Sequence, residues 1–221
     1  MQATRRPRVK ICCIASLEEA WTAIRMGASA LGLVSEMPSG PGPIKEELIR
    51  EIAAHIPPGV ASFLLTSLQD AGAIIEQQRR CGVNTVQIVD RLERGSYAEM
   101  REAMPGVSLV QVVHVSGEEA LDEALQVAPH VQAILLDSGN PRLAVKELGG
   151  TGRRHDWATS RRIREQSGVP VFLAGGLRAE NVREAVETVG PFGLDVCSGV
   201  RTDGRLDEQK LSAFFSELER C

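Results

Sequence analysis

The segment ILLDSGNPRLAVKELGGTGRRHDW (134–157) decides how this chain is read. Its first residues form a short apolar run that ends in a carboxylate, Asp137, the pattern of a buried strand with an acid at its tip. A long loop follows, and loops of that length are usually functional. The glycine-rich GGTG (149–152) then offers backbone N–H groups to an oxyanion, and a helix start at Asp156–Trp157 adds its own. An acid and an anion cradle at one end of one strand suggest an active-site rim, which other strands have to complete.

Working outward, similar apolar runs recur at even spacing: 9–14, 30–34, 60–65, 85–89, 108–113, 131–136, 170–173 and 194–197. Amphipathic segments of helical period lie between them, with stripes such as Leu17, Ala20, Ile24; Leu48, Ile49, Ile52; and Ala120, Leu121, Ala124, Leu125. Helix starts are marked by Ser16 and Ser116, each with a glutamate three residues on, and by Asp156 and Asp207. Gly27, Gly82 and Gly168 stand where helices should stop. Continuous apolar strands alternating with helices imply a parallel sheet covered by helices. The eightfold repeat predicts a single α/β domain over residues 1–221, a (β/α)8 TIM barrel, with 1–7 as a flexible extension.

Composition limits the function. The chain has 221 residues, a net charge of −4 and no long basic run, so nucleic acid is not an expected partner. No apolar run is long enough for a membrane span, and MQATRRPRVK lacks the apolar core of a secretory signal. Five scattered cysteines without a CxxC, and histidines without a close ligand pair, predict a reduced, cytoplasmic, metal-free protein. It is expected as a monomer or homodimer acting on a small molecule.

In such a barrel the chemistry sits at the C-terminal ends of the strands. Alternation along the first strand turns Lys10 and Cys12 toward the axis and Ile11 and Cys13 toward the helices; on the sixth, Ala133, Leu135 and Asp137 face inward. A cysteine at a strand end is usually packing, and an aspartate there is often a cap. Together at one mouth they form a base and an acid on opposite sides of a ligand. Lys10 lies one layer lower, where an unpaired ammonium is costly. Asp195 faces inward on the neighbouring eighth strand, so the two are predicted to pair, as structural or tuning groups. Glycine signals after strands six, seven and eight (Gly150, Thr151, Gly152; Gly175, Gly176; Ser198, Gly199) predict a phosphate site. Arg154, Arg178 and Arg201 follow those three loops and are candidate anion-binding residues.

These residues carry a resemblance that covers nearly the whole chain. KIC (10–12) followed by SLEEA, GASALGLV (27–34), LLD (135–137), GGTG with DW (156–157), LAGGL (173–177) with ENV (180–182), and GLDVCSGV (193–200) resemble the phosphoribosylanthranilate isomerase family of tryptophan biosynthesis. The resemblance implies a barrel of the ribulose-phosphate-binding type and an Amadori rearrangement of an N-(5-phosphoribosyl) amine to a 1-amino-1-deoxyribulose 5-phosphate, with no metal or organic cofactor. Cys12 would be the general base and Asp137 the general acid.

Three departures fall on the anthranilate side of the pocket. The loop PSGPGPI (38–44), a candidate lid, has no basic residue where the family carries an arginine. The family's QLHG reads Gln87-Ile88-Val89-Asp90, without its histidine, and the glycine after the catalytic cysteine is Cys13. Arg142 and Arg154 are candidates for a relocated carboxylate contact. A homologue using the same Cys/Asp pair on a different ribosyl phosphate, and a barrel that binds a phosphometabolite without turnover, stay open as alternatives.

Overall fold

A computed structural model of the protein describes residues 6–139, 148 and 155–221. Strands β1 (Arg8–Ile11), β2 (Ala30–Val34), β3 (Ala61–Thr66), β4 (Thr85–Ile88), β5 (Ser108–His114), β6 (Ala133–Asp137), β7 (Val171–Leu173) and β8 (Gly193–Val196) close into a parallel barrel in chain order. Helices α1 (Leu17–Arg25), α2 (Glu46–His55), α3 (Ala71–Cys81), α4 (Tyr97–Ala103), α5 (Glu119–Val127), α6 (Trp157–Gln166), α7 (Val182–Val189) and α8 (Glu208–Leu218) cover it. A small hairpin, β9 (Arg201–Thr202) with β10 (Arg205–Leu206), precedes α8. This is the predicted (β/α)8 barrel. No helix among the described residues is long and apolar enough to cross a membrane.

The local chemistry explains most element ends. Ser16, Asp156 and Asp207 cap their helices through side-chain oxygens that accept first-turn N–H groups. Gly82 ends α3 in the left-handed region at φ +68°. Ser116 is not a cap: α5 begins at Glu119 behind Glu118, which is already helical and makes no side-chain cap bond. Pro7, assigned from sequence to the N-terminal extension, is buried.

Side-chain parity sorts the core into two shells. Ile11, Leu31, Leu33, Leu64, Ile134 and Leu136 pack outward under the helices, while Ala30, Phe63, Val110, Val112, Leu135 and Phe172 fill the barrel. Phe172 stacks edge-to-face on both Phe63 and Phe192, at 5.8 and 5.6 Å between ring centres, plugging the lower barrel. Above this plug Gln87, Asp137 and Asp195 stand among apolar neighbours such as Leu65 and Val89, and there the site lies.

One expectation fails at the top of β1. The strand ends at Ile11, and Cys13 takes φ +62°, so alternation no longer governs its direction. Cys13 joins the inner shell with Cys12 instead of facing the helices.

Candidate active site

β1 lies between β2 and β8, and its register sets Lys10 beside Asp195. The Lys10 side chain is fully buried, its Nζ 2.8 Å from Asp195 Oδ1 and 5.4 Å from the centre of the Phe63 ring. Burial alone would lower the ammonium's pKa, but Asp195 and the Cys12 sulfur outweigh it and hold Lys10 charged, well above the ordinary lysine range. The pair is a fixed charge couple beneath the mouth.

Cys12 caps that couple and is 6% exposed. Its N–H donates to Val196 O at 2.9 Å, extending the β1–β8 ladder one residue beyond the strand. The carbonyls of Cys12 and Cys13 both accept from Arg201 Nη2, at 3.1 and 2.5 Å. Arg201 also bonds Glu19 and Gly204 O, so its guanidinium is enclosed behind β1. Expected as an anion-binding residue, Arg201 is a buried clamp on the cysteine pair: Glu19, in the first turn of α1, draws the charge inward. Burial alone would raise the Glu19 pKa, but Arg201 and the N–H groups of Leu206 and Ala15 overcome it and set the carboxyl below its usual range.

Across the mouth, Asp137 ends β6 and is 9% exposed. Burial raises its pKa above the ordinary value, against the opposing pull of the Ser138 N–H, which donates to Oδ1 at 2.7 Å, and of His114 and Lys10. The carboxyl therefore holds its proton more firmly than a surface aspartate does, as a general acid must.

Cys12 and Asp137 line the same cavity, open at the C-terminal end of the barrel. Gly175, Gly176, Asp195 and Ser198 line it too. Gly175 and Gly176, at φ +83° and +64°, turn the chain sharply after β7. Gly199 sits behind them, where a Cβ would stand 2.0 Å from Leu177 O; only glycine lets the loops after β7 and β8 touch. Gly150, Thr151, Gly152, Arg142 and Arg154 lie outside the described residues. Arg178 is exposed, pairs with Glu180 at 3.3 Å, and borders a shallower cleft beside α7 rather than the mouth. Neither it nor Arg201 lines the cavity, so neither described arginine supports the expectation of extra positive charge there.

The opposite rim is the loop 38–44. Ser39, Gly40 and Pro41 line the cavity. The loop is tied down by Ile44 N–H donating to Val34 O at 2.9 Å and by Cys13 Sγ–H donating to Pro41 O at 3.5 Å. Among the described residues that line the cavity, none is basic.

Three contributors escaped the sequence reading. Cys13 lines the mouth, its sulfur 2.9 Å from that of Cys197. Gln87 lines it from β4, with Oε1 buried and without a partner. His114 ends β5 directly beside Asp137 in register; its Nε2–H donates to Val89 O at 3.0 Å, while Nδ1 is buried without a partner. Both Gln87 and His114 share inward parity with their strands' core residues, which was the available signal.

Residues 9–217 match the family model described as N-(5'-phosphoribosyl)anthranilate (PRA) isomerase. The chain belongs to this family. It is 33% identical over 213 residues to the N-(5'-phosphoribosyl)anthranilate isomerase of Methanocella arvoryzae, covering 96% of this chain and 98% of the relative. The phosphoribosyl anthranilate isomerase structure from Thermotoga maritima superposes with a TM-score of 0.79 at 30% identity, covering 97% of this chain and all of that one. Another structure of a phosphoribosyl anthranilate isomerase, in complex with reduced 1-(o-carboxyphenylamino)-1-deoxyribulose 5-phosphate, gives 0.76 at 28% identity, again over 97% of this chain and all of that one. The chain thus falls within an isomerase family of tryptophan biosynthesis.

Proposed function

We propose that the protein isomerises N-(5'-phosphoribosyl)anthranilate to 1-(o-carboxyphenylamino)-1-deoxyribulose 5-phosphate, with Asp137 as general acid and Cys12 as general base. The observation that carries this reading is the placement, around one cavity, of a carboxyl at the end of β6 whose pKa burial raises and of a thiol just past β1. Asp137 protonates the furanose ring oxygen as the C1–O bond breaks, and the substrate's own nitrogen takes up the deficit as a protonated imine. That cation acidifies the C2 hydrogen, which Cys12 removes; the resulting enolamine tautomerises to the ketone. The nitrogen is the electron sink, so the sequence of steps calls for no metal or organic cofactor. The phosphate is held by the backbone around Gly175, Gly176, Ser198 and Gly199, together with Gly150, Thr151 and Gly152, fixing C2 against the thiol.

The test is complementation of a tryptophan auxotroph that lacks this isomerase, paired with an assay of the purified protein. Growth on minimal medium that is lost in Cys12→Ala and Asp137→Asn supports the reading. Wild-type protein that is folded but gives no conversion, or a Cys12→Ala variant that still supports growth, overturns it.

One observation favours a second reading. With no basic side chain among the described cavity-lining residues, the anthranilate carboxylate has no cationic partner there. The same acid and base would serve an N-ribosyl phosphate with an uncharged aglycone. Comparing kcat/KM for the anthranilate and aniline glycosides of ribose 5-phosphate separates the two.

A further inference from the structure

The mouth holds a group that this reaction does not use. Cys13 and Cys197 bring their sulfurs within 2.9 Å, inside van der Waals contact, yet both are free thiols. They lie just past the last paired residues of adjacent strands, Ile11 and Val196. A disulfide requires a sulfur separation of about 2.05 Å, so the pair needs to close by only about 0.9 Å. Both residues border the open cavity, but Cys13 is buried and Cys197 partly exposed, so a small oxidant meets Cys197 first.

We infer that Cys13 and Cys197 form an oxidation site: a peroxide converts them to a disulfide that bridges β1 and β8 across the catalytic mouth. The Cys197 thiolate attacks the peroxide O–O bond, giving a sulfenic acid and hydroxide. The Cys13 sulfur then attacks the sulfenic sulfur, the S–O bond breaks, and the departing hydroxyl leaves as water with the Cys13 proton. Two thiols and one hydrogen peroxide become one disulfide and two waters, the sulfurs losing the two electrons that the peroxide gains. The division of roles follows the surroundings. Contact with Cys13 and the nearby Arg201 guanidinium lower the Cys197 pKa, whereas the bonds to Cys12 and Cys197, together with burial, raise that of Cys13.

The bridge has a consequence for the site. Cys13 is the residue after the proposed base, and its sulfur donates to Pro41 O on the opposite rim. Pulling it onto Cys197 breaks that contact and drags the Cys12 backbone with it. This second step rests on the proposed function; the bridge itself does not.

The test treats full-length protein carrying Cys221→Ser, which removes the exposed C-terminal thiol, with hydrogen peroxide. Alkylation, digestion and mass analysis then locate any bridge without recourse to substrate. The expected result is a peptide pair joining Cys13 to Cys197, released by dithiothreitol and absent in Cys13→Gly, a substitution that suits φ +62°. A bridge from Cys12 to Cys197, or Cys197 driven to the sulfinic acid with Cys13 still alkylatable, overturns the assignment. In parallel, turnover is measured relative to each protein's own untreated rate. A displacement of about 1 Å near a reacting group costs on the order of a hundredfold, so a reversible loss of that size is expected with Cys13 present and not in Cys13→Gly. A bridged protein that keeps its full rate overturns the functional consequence while leaving the bridge standing.

Discussion

Gly42 and Cys13 share one space. A Cβ built on Gly42 would stand 2.6 Å from the Cys13 Cβ and 2.9 Å from its sulfur, and Gly42 itself adopts φ +85°. The rim loop and Cys13 are therefore coupled in space, with the side chain at 13 filling what position 42 leaves empty. Gly42→Ala combines a clash with a strained backbone and should destabilise the protein by about 2 kcal/mol. Cys13→Gly should relieve the clash, so the double variant loses less than the sum, with a coupling of about 1 kcal/mol. Urea unfolding of the four proteins in the cycle measures this; simple additivity would contradict the shared space.

Asp137→Asn should separate function from stability. The native carboxyl has its pKa raised by burial above the ordinary 3.8. Its favourable contribution to folding is thus full below the unfolded value and is lost as pH rises through the folded one. At neutral pH the unfolded chain gains more from ionising this carboxyl than the folded chain does, a penalty that the neutral amide removes, and the Asn side-chain oxygen still accepts from Ser138 N–H. Thermal unfolding at pH 7 should show a higher Tm for the variant, while turnover falls by about 10²–10⁴. In the native enzyme, kcat/KM should decline as pH rises through the same folded pKa. A variant less stable than wild type at pH 7 would refute the burial argument.

Lys10→Met leaves Asp195 without its partner in the barrel. Breaking a buried pair costs about 3–5 kcal/mol, and the loss should appear in chemical denaturation at pH 7. The lysine's folded pKa is raised above its ordinary 10.5, so the pair's contribution is intact throughout the neutral range. It is lost only as pH climbs past 10.5 toward the folded value. Wild type should therefore show an alkaline fall in stability that the variant lacks.

Arg201→Met removes the donor that holds the carbonyls of Cys12 and Cys13, and strands Glu19. A destabilisation of about 3 kcal/mol is expected, because Glu19 loses its partner in a largely enclosed setting. Glu19 sits below its ordinary 4.5 when folded. Its contribution is present above that value and vanishes as pH falls through the folded pKa, so acid unfolding of wild type should be steeper than that of the variant. Reading kcat separately from stability, at a temperature where both proteins are folded, tests whether the clamp also positions Cys12.

Much of this was legible in the residues. The apolar runs placed β2 at Ala30–Val34 and put every other strand within two residues of one end, because strands buried on both faces leave continuous signals. The Lys10–Asp195 pair followed from parity and closure alone. What parity cannot see is where a strand stops: Cys13 was read as outward because alternation was carried two residues past Ile11, into a left-handed turn. Arg201 was read as a rim charge because its partner Glu19 lies 182 residues away, beyond any local pattern. Ser116 and Glu119 have the spacing of a capping box, but the chain enters the helix two residues later than that spacing implies.

The clamp of Arg201 on the Cys12 and Cys13 carbonyls bears on the order in which the protein can become competent. The thiol proposed as base precedes the guanidinium that fixes its backbone by 189 residues, so it leaves the ribosome long before its clamp does. Until β8 and the β9–β10 hairpin have docked, β1 is an unclosed edge, its upper carbonyls unbonded and Lys10 without its carboxylate. Closing such long-range contacts is slow relative to local helix formation. Cys12 should therefore acquire its native surroundings, and its native resistance to alkylation, in the final step of folding.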